Sequence, residues 1–247
     1  MKNYKNIDGF KVAFREQSAD EKVIDQSFQN DLFFRYASEL KLAKDGIIID
    51  IGAHIGTFAL KASRKVSNGY VYAIEAEKEN YKLLSENIEI NKLKNIVPIN
   101  IAISGKSGKV NLYLSDESWS HNMFYDSSGR IETVESKKLS EFLDNHNIKS
   151  CDLLKFNCEG AEFEIVMQTD IAHLVKIKFI IILYHLDLTS KNYSLDDLKS
   201  KLNSSGFYFR EIKTGRDRGW IIAKNKKYYN KLSDFLRRAS IKIKSFI

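Results

Sequence analysis

The stretch from Ile48 to Gly56 constrains the fold more than any other part of the chain; it reads Ile-Ile-Asp-Ile-Gly-Ala-His-Ile-Gly. An apolar run ends in an acid, turns on two glycines and enters residues 57–66, where apolar residues follow helical spacing. A second apolar run, Val71 to Ile74, is closed by Glu75. The order of strand, glycine turn, helix, strand and acid predicts the mononucleotide-binding half of an α/β fold.

The spacing of the glycines argues against a dinucleotide ligand. In the pattern G-x-G-x-x-G the second glycine lets the backbone approach a pyrophosphate. Here that position is His54, the third glycine position is Thr57, and the Asp50 carboxylate at the strand end would repel a diphosphate. We interpret the pattern as a site for S-adenosylmethionine, which is cationic and free of phosphate, with its ribose diol held by Glu75. The alternative is that Asp50 is only a polar turn residue before the helix.

Size and composition agree with one large domain. A chain of 247 residues can bury an ample α/β core, and with Pro98 as the only proline and no Gly/Ser-rich linker we expect no second independent domain. No apolar run approaches the roughly 20 residues of a membrane span, and no signal-peptide pattern is visible. Cys151 and Cys158 are interpreted as reduced thiols of a cytoplasmic protein.

The positive charge is concentrated in the last residues. Of the net charge of +7, residues 226–247 carry +6, so the rest of the chain is nearly neutral and a nucleic-acid partner is not expected. Apolar residues in this tail recur at three- and four-residue spacing: Tyr228, Leu232, Phe235, Ala239, Ile243 and Phe246. They predict a basic amphipathic helix, which could contact the inner face of an anionic membrane. The alternative is an edge helix on its own domain or a frayed terminus.

The chain divides into three segments. In residues 1–45, Phe28, Leu32, Tyr36 and Leu40 recur every four residues and predict a helical lead-in. Residues 46–225 form the nucleoside-binding domain, in which alternation over 108–136 predicts an inserted β-hairpin flap. Residues 226–247 form the basic tail. Within the domain, periodicity predicts strands at 47–51, 69–74, 96–101, 152–156, 179–183, 207–212 and 219–223, and helices at 57–66, 77–91, 139–146, 160–169 and 195–204.

A second polar cluster follows the predicted fourth parallel strand. Residues 153–162 read Leu-Leu-Lys-Phe-Asn-Cys-Glu-Gly-Ala-Glu. In open α/β sheets, ligands lie beyond the carboxyl ends of the strands. Asn157, Glu159 and His185 should therefore share one rim with Asp50 and Glu75, and this convergence predicts an enzyme.

Together these motifs resemble the FkbM-type family of S-adenosylmethionine-dependent methyltransferases. The resemblance covers roughly residues 46–185 and includes Ala-Ile-Glu at 73–75 and Asn-Ile-Ala at 100–102. It implies a Rossmann-like class I methyltransferase fold, an α/β fold with a mostly parallel seven-stranded sheet, an antiparallel last strand and helices on both faces. It also implies O-methylation of a hydroxyl on a sugar, a glycan or a specialised metabolite.

The motifs and the resemblance together assign the site residues. The cofactor-binding residues are Asp50, Gly52, Ala53, His54, Gly56, Thr57, Glu75, Ala76, Asn100, Ala102 and Asn157. The catalytic candidates are His185, Glu159 and Asn157, with His185 the base whose ordinary pKa suits the task best. Two alternatives stay open: His185 is simply satisfied at a strand end, or Glu159 caps the helix that starts near Gly160.

Two positions depart from the family pattern. Asn157 stands where an aspartate is usual, and Tyr184 stands where an acid is common. An amide cannot act as a base, and hard cations prefer several carboxylate oxygens, so no required metal is expected. The same departures keep open a catalytically impaired, cofactor-binding protein. A nicotinamide-dependent oxidoreductase is a further alternative, which His54 and Asp50 oppose.

The acceptor is expected at loops on the same rim. Trp119, His121 and Asn122 lie in the flap loop, and Arg216 and Arg218 lie in the turn before the last strand. Tryptophan and arginine suit a glycan or a phosphorylated acceptor. The alternative is an ordinary solvated loop and turn, and the oligomeric state is not predicted.

Overall fold

A computed structural model describes residues 1–37, 39–115, 121–124, 128–188 and 192–229. Its strands are β1 (Lys2–Ile7), β2 (Phe10–Arg15), β3 (Ile47–Ile51), β4 (Tyr70–Ile74), β5 (Ile96–Ile99), β6 (Ala102–Ile103), β7 (Gly108–Tyr113), β8 (Ile131–Lys137), β9 (Leu153–Phe156), β10 (Phe179–His185), β11 (Phe207–Lys213) and β12 (Arg218–Asn225). Its helices are α1 (Asp20–Phe28), α2 (Thr57–Lys65), α3 (Lys78–Ile90), α4 (Leu139–Asn145), α5 (Ala161–Gln168), α6 (Ile171–Leu174) and α7 (Leu195–Ser204).

Seven strands form the central sheet, in the order β11-β12-β10-β9-β3-β4-β5. The strands from β10 to β5 run parallel, and β12 is antiparallel to both of its neighbours. The predicted α/β fold with an antiparallel last strand is therefore confirmed. The order of the strands reverses between β3 and β9, so their carboxyl ends leave a crevice of the kind that binds ligands in open α/β sheets.

Helices cover both faces of this sheet, because alternate residues of each buried strand point to opposite sides. On one face, Ile48 packs in a cluster with Phe58 of α2 and Leu84 of α3. On the other face, Ile49 packs in a cluster with residues of α4, α5 and α7. The periodicity of the sequence placed these helices correctly, whereas α6 was not predicted.

The N-terminal segment differs from its prediction. Residues 1–15 form an antiparallel hairpin that turns at Asp8 and Gly9, both with positive φ. The helix in this segment is α1, which ends at Phe28 rather than continuing through the four-residue repeat. Asp31 has a φ of 47°, which ends the helical path, and the apolar residues beyond it reach the core from a loop and a short 3₁₀ turn, Phe34–Ala37. The predicted helical lead-in is thus wrong, because residues 1–15 form a hairpin and α1 ends where the four-residue repeat begins.

The hairpin is attached to the nucleoside-binding domain through α3. The Asn87 side chain accepts from the Ala13 backbone N–H at 2.6 Å and donates to the Ala13 carbonyl at 3.2 Å. The same amide donates to the Ile55 carbonyl at 2.8 Å. One fully buried asparagine therefore joins the hairpin to the turn that follows β3.

The flap is a β-hairpin joined by a third short strand. The predicted hairpin is confirmed: β7 pairs antiparallel with β8, from Gly108 opposite Ser136 to Tyr113 opposite Ile131. A short strand that was not predicted, β6, adds a parallel third member. The predicted C-terminal helix falls largely on residues 230–247, outside the described residues. In the part of the chain that the structure describes, no helix is long and apolar enough to cross a membrane.

Candidate functional site

A cavity of about 570 Å³ lies at the crevice between β3 and β9. Its wall includes the last residues of β3, β4 and β10, namely Ile51, Ile74 and His185, and Asn157, which follows β9. One end reaches the flap at Leu112, and the other reaches α1 and residues 32–36. The volume falls within the roughly 300–1,000 Å³ typical of small-molecule sites, so the candidate site lies at the edge of the sheet that the sequence predicted.

The turn after β3 is shaped by Gly52. Its φ is 75°, and a β-carbon there would overlap the carbonyl oxygen of Asn157. Only glycine therefore lets the β3 turn lie directly against the end of β9. The backbone N–H groups of Gly52 and Ala53 both donate to the Ile74 carbonyl at 3.0 Å, which fixes the turn against β4 as well.

Glu75 is held by the same turn. One carboxylate oxygen accepts from the His54 backbone N–H at 2.7 Å, and the other accepts from the Glu77 backbone N–H at 2.9 Å. Burial raises the pKa of Glu75 to about 7, despite these two bonds. Each oxygen keeps a second lone pair, so Glu75 can accept hydrogen bonds from a ribose diol. Asn100 donates to the carbonyls of Glu75 and Ala76 and holds this segment in place.

Asp50 does not have the predicted role. It is fully buried and does not line the cavity, and its Oδ1 lies 2.7 Å from the Nζ of Lys155. Lys155 also donates to the Gly52 carbonyl at 2.9 Å, and its Nζ lies 4.7 Å from the centroid of the Phe33 ring. The expectation that the Asp50 carboxylate itself faces a cationic ligand is wrong, because Asp50 does not line the cavity and is paired with Lys155, which does. Lys155 was missed, since a single lysine in an apolar strand does not reveal its partner.

His54 connects the turn to the N-terminal segment. Its Nε2 lies 3.4 Å from Oδ1 of Asp20, which is fully buried. Asp20 also accepts three hydrogen bonds of 2.9 Å from Arg15, one from the backbone and two from the guanidinium. Burial lowers the pKa of His54 to about 3, against the attraction of Asp20, so the ring is neutral near pH 7. The cofactor turn is thereby tied to residues that the sequence analysis treated as a lead-in.

Glu159 and His185 form a buried pair at the opposite wall. The Nε2 of His185 lies 3.5 Å from Glu159, and its Nδ1 lies 3.4 Å from Glu162, which is fully buried. Burial raises the pKa of Glu159 to about 7. Burial lowers the pKa of His185, but the neighbouring carboxylates of Glu162 and Glu159 outweigh it and leave that pKa raised. A carboxylate with a raised pKa thus lies beside an imidazole on the cavity wall, an arrangement that suits a general base.

Glu159 does not cap α5. The residue before that helix is Gly160, whose backbone N–H donates to Oε2 of Glu162 at 3.0 Å. Among the described residues, Oε2 of Glu159 and Oδ1 of Asn157 are buried and have no hydrogen-bond partner. Both residues line the cavity. A ligand that brings hydroxyl and ammonium groups would satisfy these two oxygens, so the residues present fit S-adenosylmethionine.

Most predicted residues meet at this cavity. Those that line it are Gly52, Ala53, His54, Thr57, Glu75, Ala76, Ala102, His121, Asn122, Asn157, Glu159, His185 and Arg218. Gly56 instead begins α2 against Leu84, and Asn100 acts behind the wall. Arg216 is exposed and away from the cavity, so its predicted contact with the acceptor is not supported. Trp119 lies outside the described residues.

The second departure from the family pattern lies away from the cavity. The Tyr184 hydroxyl donates to Glu211 at 2.9 Å, and its ring packs on the sheet face opposite the Asp50–Lys155 pair. The side chain at position 184 therefore does not line the cavity, so the change from an acid to Tyr184 removes no group from the cavity wall. Within the described ranges, no group of three or more His, Cys, Asp or Glu side chains is arranged to hold a metal ion.

One wall of the cavity was missed by the sequence analysis. It comes from the N-terminal segment, namely Val23, Gln26, Ser27, Leu32, Phe33, Arg35 and Tyr36. The dipeptide Asp8-Gly9 between two runs of strand-like residues is a known hairpin signal and could have shown that this segment folds back onto the domain. Its contribution to the cavity depends on contacts distant in sequence, which periodicity does not reveal.

Comparison with known proteins places the chain in a family. A family model described as "Methyltransferase FkbM domain" matches residues 50–209. "Methyltransferase 1" of Beauveria bassiana is 22% identical over 66% of this chain and 72% of its own, and "Methyltransferase sdnD" of Sordaria araneosa is 24% identical over 65% and 75%. The crystal structure of an FkbM methyltransferase from Methylobacillus flagellatus superposes with a TM-score of 0.54 at 14% identity, over 77% of this chain and 46% of that one, and shows the shared fold.

The residues that the family model matches include many of those that line the cavity. The family model begins at Asp50 and covers Gly52, Glu75 and the Glu159–His185 pair, which together surround the cavity. The cofactor is S-adenosylmethionine, as predicted from the glycine turn and the acid after β4. The chain belongs to the FkbM family of S-adenosylmethionine-dependent methyltransferases.

Proposed function

We propose that this methyltransferase acts on a hydroxyl oxygen of a sugar, a glycan or a specialised metabolite, with Glu159 and His185 as the base. The observation that carries the proposal is the buried pair itself. Its two side chains lie 3.5 Å apart on the cavity wall, and the pKa of Glu159 is raised to about 7. An alcohol is a poor nucleophile and gains from a base with a pKa near the working pH.

Different side chains would bind the cofactor and deprotonate the acceptor. Bound S-adenosylmethionine supplies a methyl group on a sulfonium. The Gly52 turn, Glu75 and the Asn157 amide are the groups that would hold the cofactor. Glu159 Oε2 accepts the proton of the acceptor hydroxyl, and His185 stabilises the charge on Glu159. Glu162 holds the end of β10 in place by accepting a hydrogen bond of 2.8 Å from the His185 backbone N–H.

The base is expected to contribute only part of the rate acceleration. Alignment of donor and acceptor supplies much of the acceleration of a displacement reaction, and a positioned base adds roughly 10²–10⁴-fold. Loss of the base should therefore slow the enzyme by about that factor while leaving its affinity for the cofactor almost unchanged.

The test compares Glu159→Gln and His185→Asn with Glu135→Gln, an exposed flap residue. Transfer of a labelled methyl group to a panel of sugars, sugar nucleotides and hydroxylated metabolites is measured at several pH values. We expect both site variants to lose about 10²-fold or more in turnover. The wild-type rate should rise with pH through about 7, as the pair loses its proton, and Glu135→Gln should behave like wild type. Normal turnover in both site variants would contradict the proposal.

The same transfer assay, together with a measurement of cofactor binding, decides one alternative. Binding of S-adenosylmethionine without transfer to any hydroxyl acceptor would favour the catalytically impaired, cofactor-binding protein that the Asn157 and Tyr184 departures kept open. The nicotinamide-dependent oxidoreductase gains no support from the family assignment.

The partners follow from charge. We propose that the acceptor is not a nucleic acid, since the chain outside the tail carries a net charge of only +1. We also propose that the basic tail, residues 226–247, contacts an anionic membrane. Unchanged binding to anionic liposomes after deletion of the tail would remove this second proposal.

A further inference from the structure

Aromatic and aliphatic side chains wall one end of the cavity. Phe33 and Tyr36 come from the N-terminal segment, ahead of the residues that the family model matches. Phe58, Leu183 and Trp220 come from α2, β10 and β12. We call this end the aromatic chamber, defined by these five residues.

The rings of the chamber contact one another around Trp220. Its ring centroid lies 5.1 Å from that of Phe33 and 4.9 Å from that of Tyr36, and the Phe33 ring lies 5.4 Å from that of Phe58. These are the separations of ordinary aromatic contacts. The N-terminal segment therefore closes the chamber over the domain.

The chamber lies next to the proposed base. In the register of β10 and β12, Leu183 faces Trp220 and His185 faces Arg218. Residues two apart on a strand point to the same face and are separated by about 7 Å. The chamber thus begins about one ring length along the sheet from the His185 side chain, on the same face.

Two cationic side chains that line the cavity beside the chamber, Lys155 and Arg35, already have partners. The Lys155 ammonium is bound to Asp50 and to the Gly52 carbonyl. The Arg35 guanidinium lies 4.7 Å from the Tyr36 ring centroid and donates to its hydroxyl at 2.8 Å. A sugar ring carries hydroxyls on most of its carbons, and burying it against five side chains of which only Tyr36 and Trp220 have a polar group would leave most of these hydroxyls without partners. An apolar ring loses nothing by the same burial.

We propose that the aromatic chamber holds an apolar, ring-containing body of the acceptor, whose hydroxyl points to the Glu159–His185 pair. This inference rests on the proposed O-methylation and narrows its acceptor to hydroxylated aromatic or alicyclic compounds. It also assigns acceptor specificity to the N-terminal segment, through Phe33 and Tyr36, rather than to the Arg216 turn.

The test measures binding separately from catalysis. Calorimetry follows 2-naphthol and glucose added to full-length protein saturated with S-adenosylhomocysteine. We expect 2-naphthol to bind and glucose to give no heat of binding. Tyr36→Ala, which removes one ring, should weaken 2-naphthol binding about five- to tenfold. Tyr36→Leu keeps apolar volume but also lacks the ring, so it should weaken 2-naphthol binding to a similar extent. The matched control is Tyr70→Ala, an exposed tyrosine on β4, which should bind like wild type.

The outcomes separate this inference from the function it rests on. The proposal for the chamber would be overturned if glucose bound as tightly as 2-naphthol. It would also be overturned if the Tyr36 and Tyr70 variants bound 2-naphthol equally well. Methylation of sugars by a protein that does not bind 2-naphthol would overturn it too, and would leave O-methylation standing. Specific 2-naphthol binding with no transfer to any hydroxyl would instead refute O-methylation and leave the chamber standing.

Discussion

Removing Lys155 is the most informative perturbation of this structure. Asp50 is 0% exposed and the side chain of Lys155 is 3% exposed, so their ion pair of 2.7 Å is shielded from water. Removing one partner of a buried pair typically costs about 3–5 kcal/mol, because the other charge stays buried and uncompensated. We expect Lys155→Met to lower the free energy of unfolding by this amount at pH 7.

The stability of Lys155→Met should also depend on pH more steeply than that of the wild type. Burial already raises the pKa of Asp50, although the charge of Lys155 opposes it, and loss of Lys155 should raise it further. The folded variant then holds a proton at pH values where the unfolded chain has released it, so its stability falls as pH rises through that window. In that window the free energy of unfolding falls by about 1.4 kcal/mol for each pH unit. Lowering the pH from 7 to 5 should therefore recover about 2–3 kcal/mol relative to wild type.

The assay is equilibrium urea unfolding followed by circular dichroism at pH 5, 6 and 7. The matched control is the double variant Asp50→Asn, Lys155→Met, which removes both charges and should recover much of the lost stability without the steep dependence on pH. A single variant within about 0.5 kcal/mol of wild type, with no added pH dependence, would refute the view that this pair is a buried neutralised unit.

Two further substitutions test the cofactor turn. Gly52→Ala places a β-carbon on the Asn157 carbonyl at a φ of 75°; unfolding measurements should show a loss of at least about 1–3 kcal/mol. Gly215→Ala, where a β-carbon meets nothing within 4 Å, should stay within about 0.5 kcal/mol of wild type. Glu75→Gln replaces an oxygen that accepts a backbone N–H with an amide that donates; calorimetry should show S-adenosylmethionine affinity reduced about 10- to 100-fold. Equal affinity would remove Glu75 from the cofactor site.

The sequence predicted what depends on neighbours along the chain. The strand, glycine turn, helix and acid from Ile48 to Glu75 form one local unit, and each part has its own periodicity or turn residue. The polar residues after β9 and β10 could be placed on the same rim because parallel strands end at one edge of a sheet. For this reason the central sheet and the flap hairpin were predicted correctly, and most of the predicted site residues line the cavity.

Contacts between distant segments were not predicted. Nothing in the sequence around Asp50 shows that Lys155, more than a hundred positions later, neutralises it. The four-residue repeat from Phe28 to Leu40 satisfied a helical pattern, yet Asp31 ends the helix and the apolar residues pack on the core from a loop. Helical periodicity reports which residues are buried, whereas the path between them depends on tertiary contacts.

The central claim is that the crevice between β3 and β9 binds a cationic nucleoside free of phosphate. Calorimetric titration of the purified protein with S-adenosylmethionine and, separately, with NAD tests it most directly. We predict saturable heat at one site per chain with S-adenosylmethionine and none with NAD. Heat with NAD and none with S-adenosylmethionine would contradict the account.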